Sequence, residues 1–197
     1  MDAFKLLKAD HRKVAELFEK LESASGKRKL DVFAKIKTEL DLHAHIEEKI
    51  FYPALEKPSE THDLTLEAYE EHKQVKTLLR QLSRARTASE EWQAKAKVLQ
   101  ENVEHHVDEE ENELFKKADS VLSDEELEEL GMRLEEEKAR KQSTKSSTGS
   151  KKAANKTAGT RKAAGGAAKR VSRSRTSKKT SKTTKKSRSK KSGAKKR

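Results

Sequence analysis

Residues 43–53 read His-Ala-His-Ile-Glu-Glu-Lys-Ile-Phe-Tyr-Pro, and residues 105–115 read His-His-Val-Asp-Glu-Glu-Glu-Asn-Glu-Leu-Phe. Each stretch has a histidine followed four positions later by a glutamate, His43 with Glu47 and His106 with Glu110. Residues four apart share one face of an α-helix. Both stretches also lie in segments whose apolar residues recur every three or four positions, which is typical of an amphipathic helix. They therefore predict two helices whose apolar faces contain ionisable side chains.

The same periodicity covers the whole front of the chain. The four predicted apolar stripes run from Phe4 to Leu21, Phe33 to Ala54, Thr65 to Leu82 and Trp92 to Leu114. Pro53 is expected to kink the second helix, Ser89 to cap the fourth, and Ser123 with Glu126 to form a capping box. That box opens a short fifth helix through Leu134. Because short connections make neighbouring helices antiparallel, the pattern predicts an all-α, up-and-down four-helix bundle with a short fifth helix.

Charge divides the chain at residue 140. Residues 141–197 hold 22 of the 46 basic residues and no acidic residue, which leaves residues 1–140 with a net charge of −10. All aromatic residues, all seven histidines and both prolines precede residue 120, and Val171 is the only large aliphatic residue after Leu134. We therefore predict a folded domain over residues 1–140 and a disordered Lys/Arg/Ser/Thr-rich tail over residues 141–197.

Composition also excludes several classes of protein. The chain has no cysteine, so it has no disulfide, thiolate metal site or cysteine nucleophile. No apolar run approaches the roughly 18 residues of a membrane span, and the charged start Met1-Asp2-Ala3-Phe4-Lys5 does not resemble a secretory signal. We expect a cytoplasmic protein without a membrane span, in which any metal is bound by histidine and carboxylate.

Each of the four predicted helices has one histidine on its apolar stripe. One such histidine is usually an ordinary core residue, but four in register, two of them followed by a glutamate, favour a metal centre. Burying an isolated carboxylate costs several kcal/mol, and two carboxylates in one bundle repel unless a cation lies between them. Imidazole and carboxylate ligands suit Fe, Mn or Zn. The predicted ligands are His11, His43, Glu47, His72, His106 and Glu110.

The other three histidines are predicted to lie outside the centre. His45 is about 200° around the helix from His43, and His62 follows Pro58 in a predicted loop. The stripe of His105 is mostly polar, so we favour His106, with His105 as the alternative. Four nearby acids are interpreted as a solvated face: Glu48, Asp108, Glu109 and Glu111.

Four elements in this order resemble the hemerythrin HHE cation-binding family: Asp10-His11, residues 43–53, Glu71-His72 and residues 106–115. The resemblance covers residues 1 to about 140, including the trailing helix. It implies a four-helix bundle with a non-haem di-iron centre held by the six ligands above. Family members bind O2 reversibly or sense iron, oxygen or redox state. Lys76 stands where the oxygen carriers have a second histidine on the third helix, which disfavours a carrier role and leaves water or another carboxylate to complete the coordination.

Two other metal classes do not fit the sequence. Ferritin-like bundles use Glu-x-x-His pairs, and no histidine here has a glutamate three positions before it. The zinc protease pattern His-Glu-x-x-His is also absent. A di-iron enzyme acting on peroxide or NO remains an alternative.

The tail predicts a different partner. Runs such as residues 169–175, Lys-Arg-Val-Ser-Arg-Ser-Arg, resemble the basic tails of linker-histone-like nucleoid proteins in composition. Such a segment neutralises phosphates with little sequence preference, although anionic lipid, RNA or the acidic front domain could also attract it. We predict a di-iron module responsive to oxygen, iron or redox state, with O2 or a related diatomic as ligand, tethered to nucleic acid in the nucleoid. The competing class is an architectural DNA-binding protein whose bundle serves only for packing or dimerisation.

Overall fold

The computed structural model describes residues 1–86 and 88–157. Every regular element in these two ranges is helical, and none is a strand, which confirms the predicted fold class. None of these helices is both long and apolar enough to cross a membrane. The elements are α1 (Ala3–Ser23), α2 (Gly26–Ile46), a first π-helical segment (Glu47–Phe51), α3 (Tyr52–Leu55), α4 (Ser59–Leu82), α5 (Glu90–Glu109), a second π-helical segment (Glu110–Leu114), α6 (Phe115–Val121) and α7 (Asp124–Thr157).

The four predicted helices correspond to α1, to α2 with α3, to α4, and to α5 with α6. The second begins at Gly26, seven residues before its first predicted apolar position, and Gly26 has a φ of 54° that suits glycine. The chain continues through Pro53 to Leu55, and the π-helical segment lies directly before that proline. The side chain of Ser89 accepts a hydrogen bond from the backbone N–H of Trp92, as expected of a cap.

Two apolar clusters fill the bundle, and the buried histidines lie between them. The first cluster includes Leu7, Ile46, Phe51, Ala68 and Leu114. The second includes Val14, Leu40, Val75, Leu99 and Val103. Each of the four bundle helices thus gives apolar residues to both clusters with its histidine in between, as His11 lies between Leu7 and Val14 in α1. The fold therefore places a polar layer across the middle of an apolar interior.

The last helix packs against the bundle. The backbone N–H of Ser123 donates to Glu126 Oε2 at 2.9 Å, and the N–H of Glu126 donates to Ser123 Oγ at 3.2 Å, which is the predicted capping box. Leu127, Leu130 and Leu134 are buried on the side that faces the bundle. The helix runs to Thr157, beyond the boundary predicted at residue 140. Residues 158–197, most of the predicted basic tail, lie outside the described residues.

Candidate metal centre

The two π-helical segments begin at the two glutamates of the sequence motif. The backbone N–H of Tyr52 donates to the carbonyl of Glu47, and that of Phe115 donates to the carbonyl of Glu110, so each bond spans five residues instead of four. Such wide turns inside α-helices are frequent at functional sites. The periodicity of the sequence did not predict them. Each turn changes the helical register after its glutamate.

Four imidazoles meet in the buried layer as two close pairs. Nε2 of His11 lies 3.0 Å from Nε2 of His43, and Nε2 of His72 lies 3.2 Å from Nε2 of His106. All four histidines are only 3–6 % exposed. Their Nε2 atoms therefore point to one common centre in the bundle.

The two carboxylates complete this centre. Oε1 of Glu47 lies 3.0 Å from Nε2 of His43, and Oε2 of Glu47 lies 3.4 Å from Nε2 of His72. Oε2 of Glu110 lies 3.2 Å from Nε2 of His11. The donor atoms form two groups, each spanning at most 4.8 Å, that share Glu47: His11, His43, Glu47 and Glu110 in the first, and Glu47, His72 and His106 in the second.

Three of the four carboxylate oxygens in this cluster are buried without a hydrogen bond from the described residues. Within the part of the chain that the structure describes, both oxygens of Glu47 and Oε2 of Glu110 lack a hydrogen-bond partner. Glu47 is fully buried and Glu110 is 2 % exposed. Because an unpaired buried carboxylate is strongly disfavoured, the arrangement fits a bound cation, which would pair with these oxygens.

Neighbouring charges shift the pKa values of Glu110 and His43 in opposite directions. Burial raises the pKa of Glu110, but the imidazole of His11, 3.2 Å from its Oε2, and the charge of His106 outweigh it and bring that pKa to about 2. Burial lowers the pKa of His43, whereas Glu47 and Asp10 raise it, with a net value of about 10. A metal ion bound at Nε2 of His43 would have to displace any proton held there.

The outer ring nitrogen of each histidine faces a carboxylate. Such partners fix the tautomer and turn the other nitrogen towards a metal. The Nδ1 to oxygen distances are of hydrogen-bond length for three pairs: 2.7 Å for His11 with Glu111, 3.0 Å for His72 with Glu48 and 2.7 Å for His106 with Glu71. For His43 with Asp10 the distance is 3.7 Å, which is too long for a hydrogen bond. The interpretation of Glu48 and Glu111 as solvated residues was wrong, because both face a neighbouring helix and accept from its histidine. A repeated Glu-Glu doublet, residues 47–48 and 110–111, was the signal available in the sequence.

The remaining histidines lie outside the cluster, although not all in the predicted surroundings. His105 is exposed, whereas His106 is buried in the centre, so the structure supports the preferred register. The side chain of His45 is 30 % exposed and pairs with Glu137 of α7 at 2.7 Å. His62 lies within α4 and not in a loop, because that helix begins at Ser59, directly after Pro58.

Lys76 lies in the surroundings of the second donor group. Its ammonium is ion-paired with Glu48, the carboxylate that accepts from His72. Burial raises the pKa of Glu48, but the hydrogen bonds from His72 and Lys76 outweigh it and bring the pKa to about 2. Lys76 therefore acts on the centre through Glu48, as a counter-charge.

One residue of the centre was not singled out in the sequence. The phenol of Tyr52 is buried, donates to Oε1 of Glu110 at 3.2 Å and lies 3.4 Å from Nε2 of His72. Burial and the charges of Glu110 and Glu47 raise the pKa of Tyr52, so the phenol is neutral when no metal is present.

An apolar cavity adjoins the histidines. It has a volume of about 20 Å³ and is lined by the four histidines of the cluster and by Val14, Leu40, Val75 and Val103. A larger groove between α1 and α5, of about 300 Å³, shares His11, Val14, Val103 and Val107 with it. The cavity is about the size of one water molecule, so only a very small molecule fits beside the cluster.

Known proteins share this fold and this sequence pattern. A family model described as hemerythrin HHE cation binding domain matches residues 2–118. An uncharacterized protein of Mycobacterium tuberculosis is 34% identical over 141 residues, covering 68% of this chain and 83% of that protein. A protein of Nostoc sp. named DNA nickase is 30% identical over 138 residues, which cover 70% of this chain but only 39% of that protein.

A solved structure agrees with these sequence matches. The crystal structure of a hemerythrin HHE cation binding domain-containing protein from Mycobacterium kansasii superposes with a TM-score of 0.62 and 29% identity. It covers 71% of this chain and 89% of that protein. The chain therefore belongs to the hemerythrin HHE cation-binding family, and its four buried histidines and two buried glutamates form a cluster able to bind metal.

Proposed function

We propose that this protein binds a non-haem di-iron centre and responds through it to oxygen, iron or redox state. The proposed ligands are His11, His43, Glu47, His72, His106 and Glu110. The observation that supports this best is the pair of donor groups that share Glu47, whose two buried oxygens have no hydrogen-bond partner among the described residues.

A pair of metal ions fits the donors better than a single ion. The two oxygens of Glu47 approach different histidine pairs, His43 at 3.0 Å and His72 at 3.4 Å, which is the arrangement of a bridging carboxylate. Imidazole with carboxylate suits iron, manganese or zinc, and family membership favours iron. When bound, iron would supply redox chemistry and affinity for O2.

The cavity beside the histidines supports a small diatomic ligand. Its walls are valine and leucine side chains, and its volume of about 20 Å³ excludes larger substrates. Because the same chemistry could turn over peroxide or NO, an enzyme on this site is the second possibility. The protein's own contribution is to orient the imidazoles through their outer carboxylates and to keep bulk water from the centre.

The basic segment supports attachment to nucleic acid. Residues 141–197 carry 22 positive charges without an acid, and phosphate neutralisation is the general mechanism of such segments. The Nostoc relative is named a DNA nickase, which agrees with a nucleic-acid setting. The acidic residues 1–140 would be repelled by phosphate, so we assign binding to the basic segment.

Metal analysis with two neighbouring histidine variants tests the proposal. Full-length protein purified from iron-supplemented cells should contain about two Fe per chain, since the donors form two sites. His106→Ala should lose iron, whereas the matched variant His105→Ala, altered at an exposed neighbour, should keep it. If the wild type holds no more iron than His106→Ala, the di-iron proposal fails and the architectural alternative gains support.

A further inference from the structure

The two donor groups of the cluster are unequal. The first offers four ligands, His11, His43, Glu47 and Glu110, whereas the second offers three, Glu47, His72 and His106. Lys76 cannot supply the missing donor, because its ammonium has no lone pair and pairs with Glu48. If the proposed function is right, the second metal position needs one more ligand.

A phenol oxygen lies beside this second position. Tyr52 is fully buried, and its Oη is 3.4 Å from Nε2 of His72 and 3.2 Å from Oε1 of Glu110. The closest pairs of donor atoms already assigned to the centre are 3.0–3.4 Å apart. Ligands with metal bonds of about 2.1 Å lie roughly 3 Å from each other when they are at right angles. The distance of 3.4 Å between Tyr52 Oη and His72 Nε2 is compatible with two ligands on one ion as well as with a hydrogen bond.

The first π-helical segment brings this tyrosine to the centre. The backbone bond from Tyr52 to Glu47 closes one wide turn, so residue 52 stands nearly above residue 47 on the inner face of the helix. The equivalent residue after the second segment is Phe115, bonded in the same way to Glu110. Phe115 has no donor atom. The oxygen is thus present at one of two equivalent places in the chain.

We propose that Tyr52 is the fourth protein ligand of the second metal position, together with Glu47, His72 and His106. On binding, the O–H bond of the phenol breaks, its proton passes to solvent and the oxygen forms a bond to the metal, with no change of oxidation state. The competing role is that of a hydrogen-bond donor that only orients Glu110.

The two tyrosines of the chain provide a matched pair of variants. Tyr52→Phe removes the proposed ligand oxygen and little else. Tyr69→Phe removes a phenol oxygen from the ring that packs edge-on against Tyr52, with centroids 5.1 Å apart. The hydroxyl of Tyr69 interacts with Glu56, which is not one of the proposed ligands. Both variants, and the wild type, are purified with iron and oxidised. Absorption and resonance Raman spectra, iron content and circular dichroism are then recorded.

The wild type should show a visible charge-transfer band from phenolate to Fe(III), with tyrosinate ring vibrations enhanced in the Raman spectrum. Tyr52→Phe should lose both signals, keep its helicity and contain less iron, whereas Tyr69→Phe should match the wild type. An iron-loaded wild type without tyrosinate signals, or signals that disappear only in Tyr69→Phe, would overturn the assignment and leave the di-iron proposal standing. A wild type that binds no iron would instead overturn the proposed function.

Discussion

Replacing Gly131 by alanine should destabilise the protein, although alanine is the better helix former. Gly131 lies in α7, where the helix crosses the start of the chain. A Cβ atom at this position would lie 2.1 Å from the carbonyl oxygen of Met1, 2.8 Å from the carbonyl carbon of Asp2 and 2.9 Å from the nitrogen of Ala3. All three are backbone atoms, so no flexible side chain can move aside. The helix and the chain terminus have to separate.

Two opposing contributions set the size of the effect. Helix propensity favours alanine over glycine by about 1 kcal/mol. Overpacking costs about 1–3 kcal/mol, and a contact with backbone at this distance belongs at the upper end of that range. The free energy of unfolding should therefore fall by about 2 kcal/mol. For a domain of this size, 1 kcal/mol corresponds to about 2–4 °C in Tm, so we expect a decrease of about 4–8 °C.

Thermal unfolding followed by circular dichroism measures this difference. Met132→Ala, at the exposed neighbouring position of the same helix, is the control and should change Tm little. If Gly131→Ala melts at or above the temperature of the wild type, helix propensity dominates. The close packing of α7 on residues 1–3 would then be refuted.

Three further predictions concern charge and metal. Hydrogen bonds from Arg140, Lys49 and His45 lower the pKa of Glu137 below its usual 4.5, so the stabilising effect of this carboxylate is present above pH 4.5 and is lost as the pH falls. In metal-free protein, the Tm difference between wild type and Glu137→Gln should therefore narrow from pH 7 to pH 3. A constant difference would contradict this. Chelation of the metal should lower the wild-type Tm by about 8–16 °C if the metal had been present at about 1,000 times its Kd, and His43→Ala should show a smaller change. Truncation after Thr157 removes 17 of the 22 basic residues of the tail and should abolish binding to duplex DNA in gel-shift assays. Undiminished binding by the truncated protein would refute the role of the tail. For the full chain, the logarithm of the binding constant should fall with the logarithm of the salt concentration at a slope of about −7 if about eight phosphates are neutralised.

The inward positions of the histidines were predictable because helical periodicity is a local property. His11 lies four residues after Leu7 and three before Val14, and that spacing alone puts it on the buried face. The two caps at Ser89 and Ser123 are local in the same sense. These features need no knowledge of which helices become neighbours.

The contacts between helices could not be predicted in this way. Glu111 and His11 are 100 residues apart in the sequence, and Glu71 and His106 are 35 apart. Periodicity indicates the face on which a carboxylate lies, but the identity of the opposing residue depends on how the helices pack. Acidic residues beside a buried stripe were therefore assigned to solvent, although two of them, Glu48 and Glu111, accept hydrogen bonds from histidines of other helices.

The π-helical segments were missed for a related reason. Ile50, Phe51 and Tyr52 are three consecutive buried residues, which would span about 200° on a regular α-helix. Three consecutive apolar or aromatic residues indicate a change of register only if all three are known to be buried. The sequence alone does not show this, because one of them could be exposed on a regular helix. The consequence for the site is large, because the register change decides that Tyr52 joins the cluster.

The charges around the centre are arranged in layers, and Lys76 belongs to the outer layer. Three outer carboxylates that face histidines are each paired with a lysine: Asp10 with Lys138, Glu48 with Lys76 and Glu111 with Lys8. These lysines balance three of the four outer carboxylates. Glu47 and Glu110 place further negative charge at the centre, where the ring nitrogens converge. Lys76 thus offers no donor atom to the second donor group and balances the carboxylate that accepts from His72.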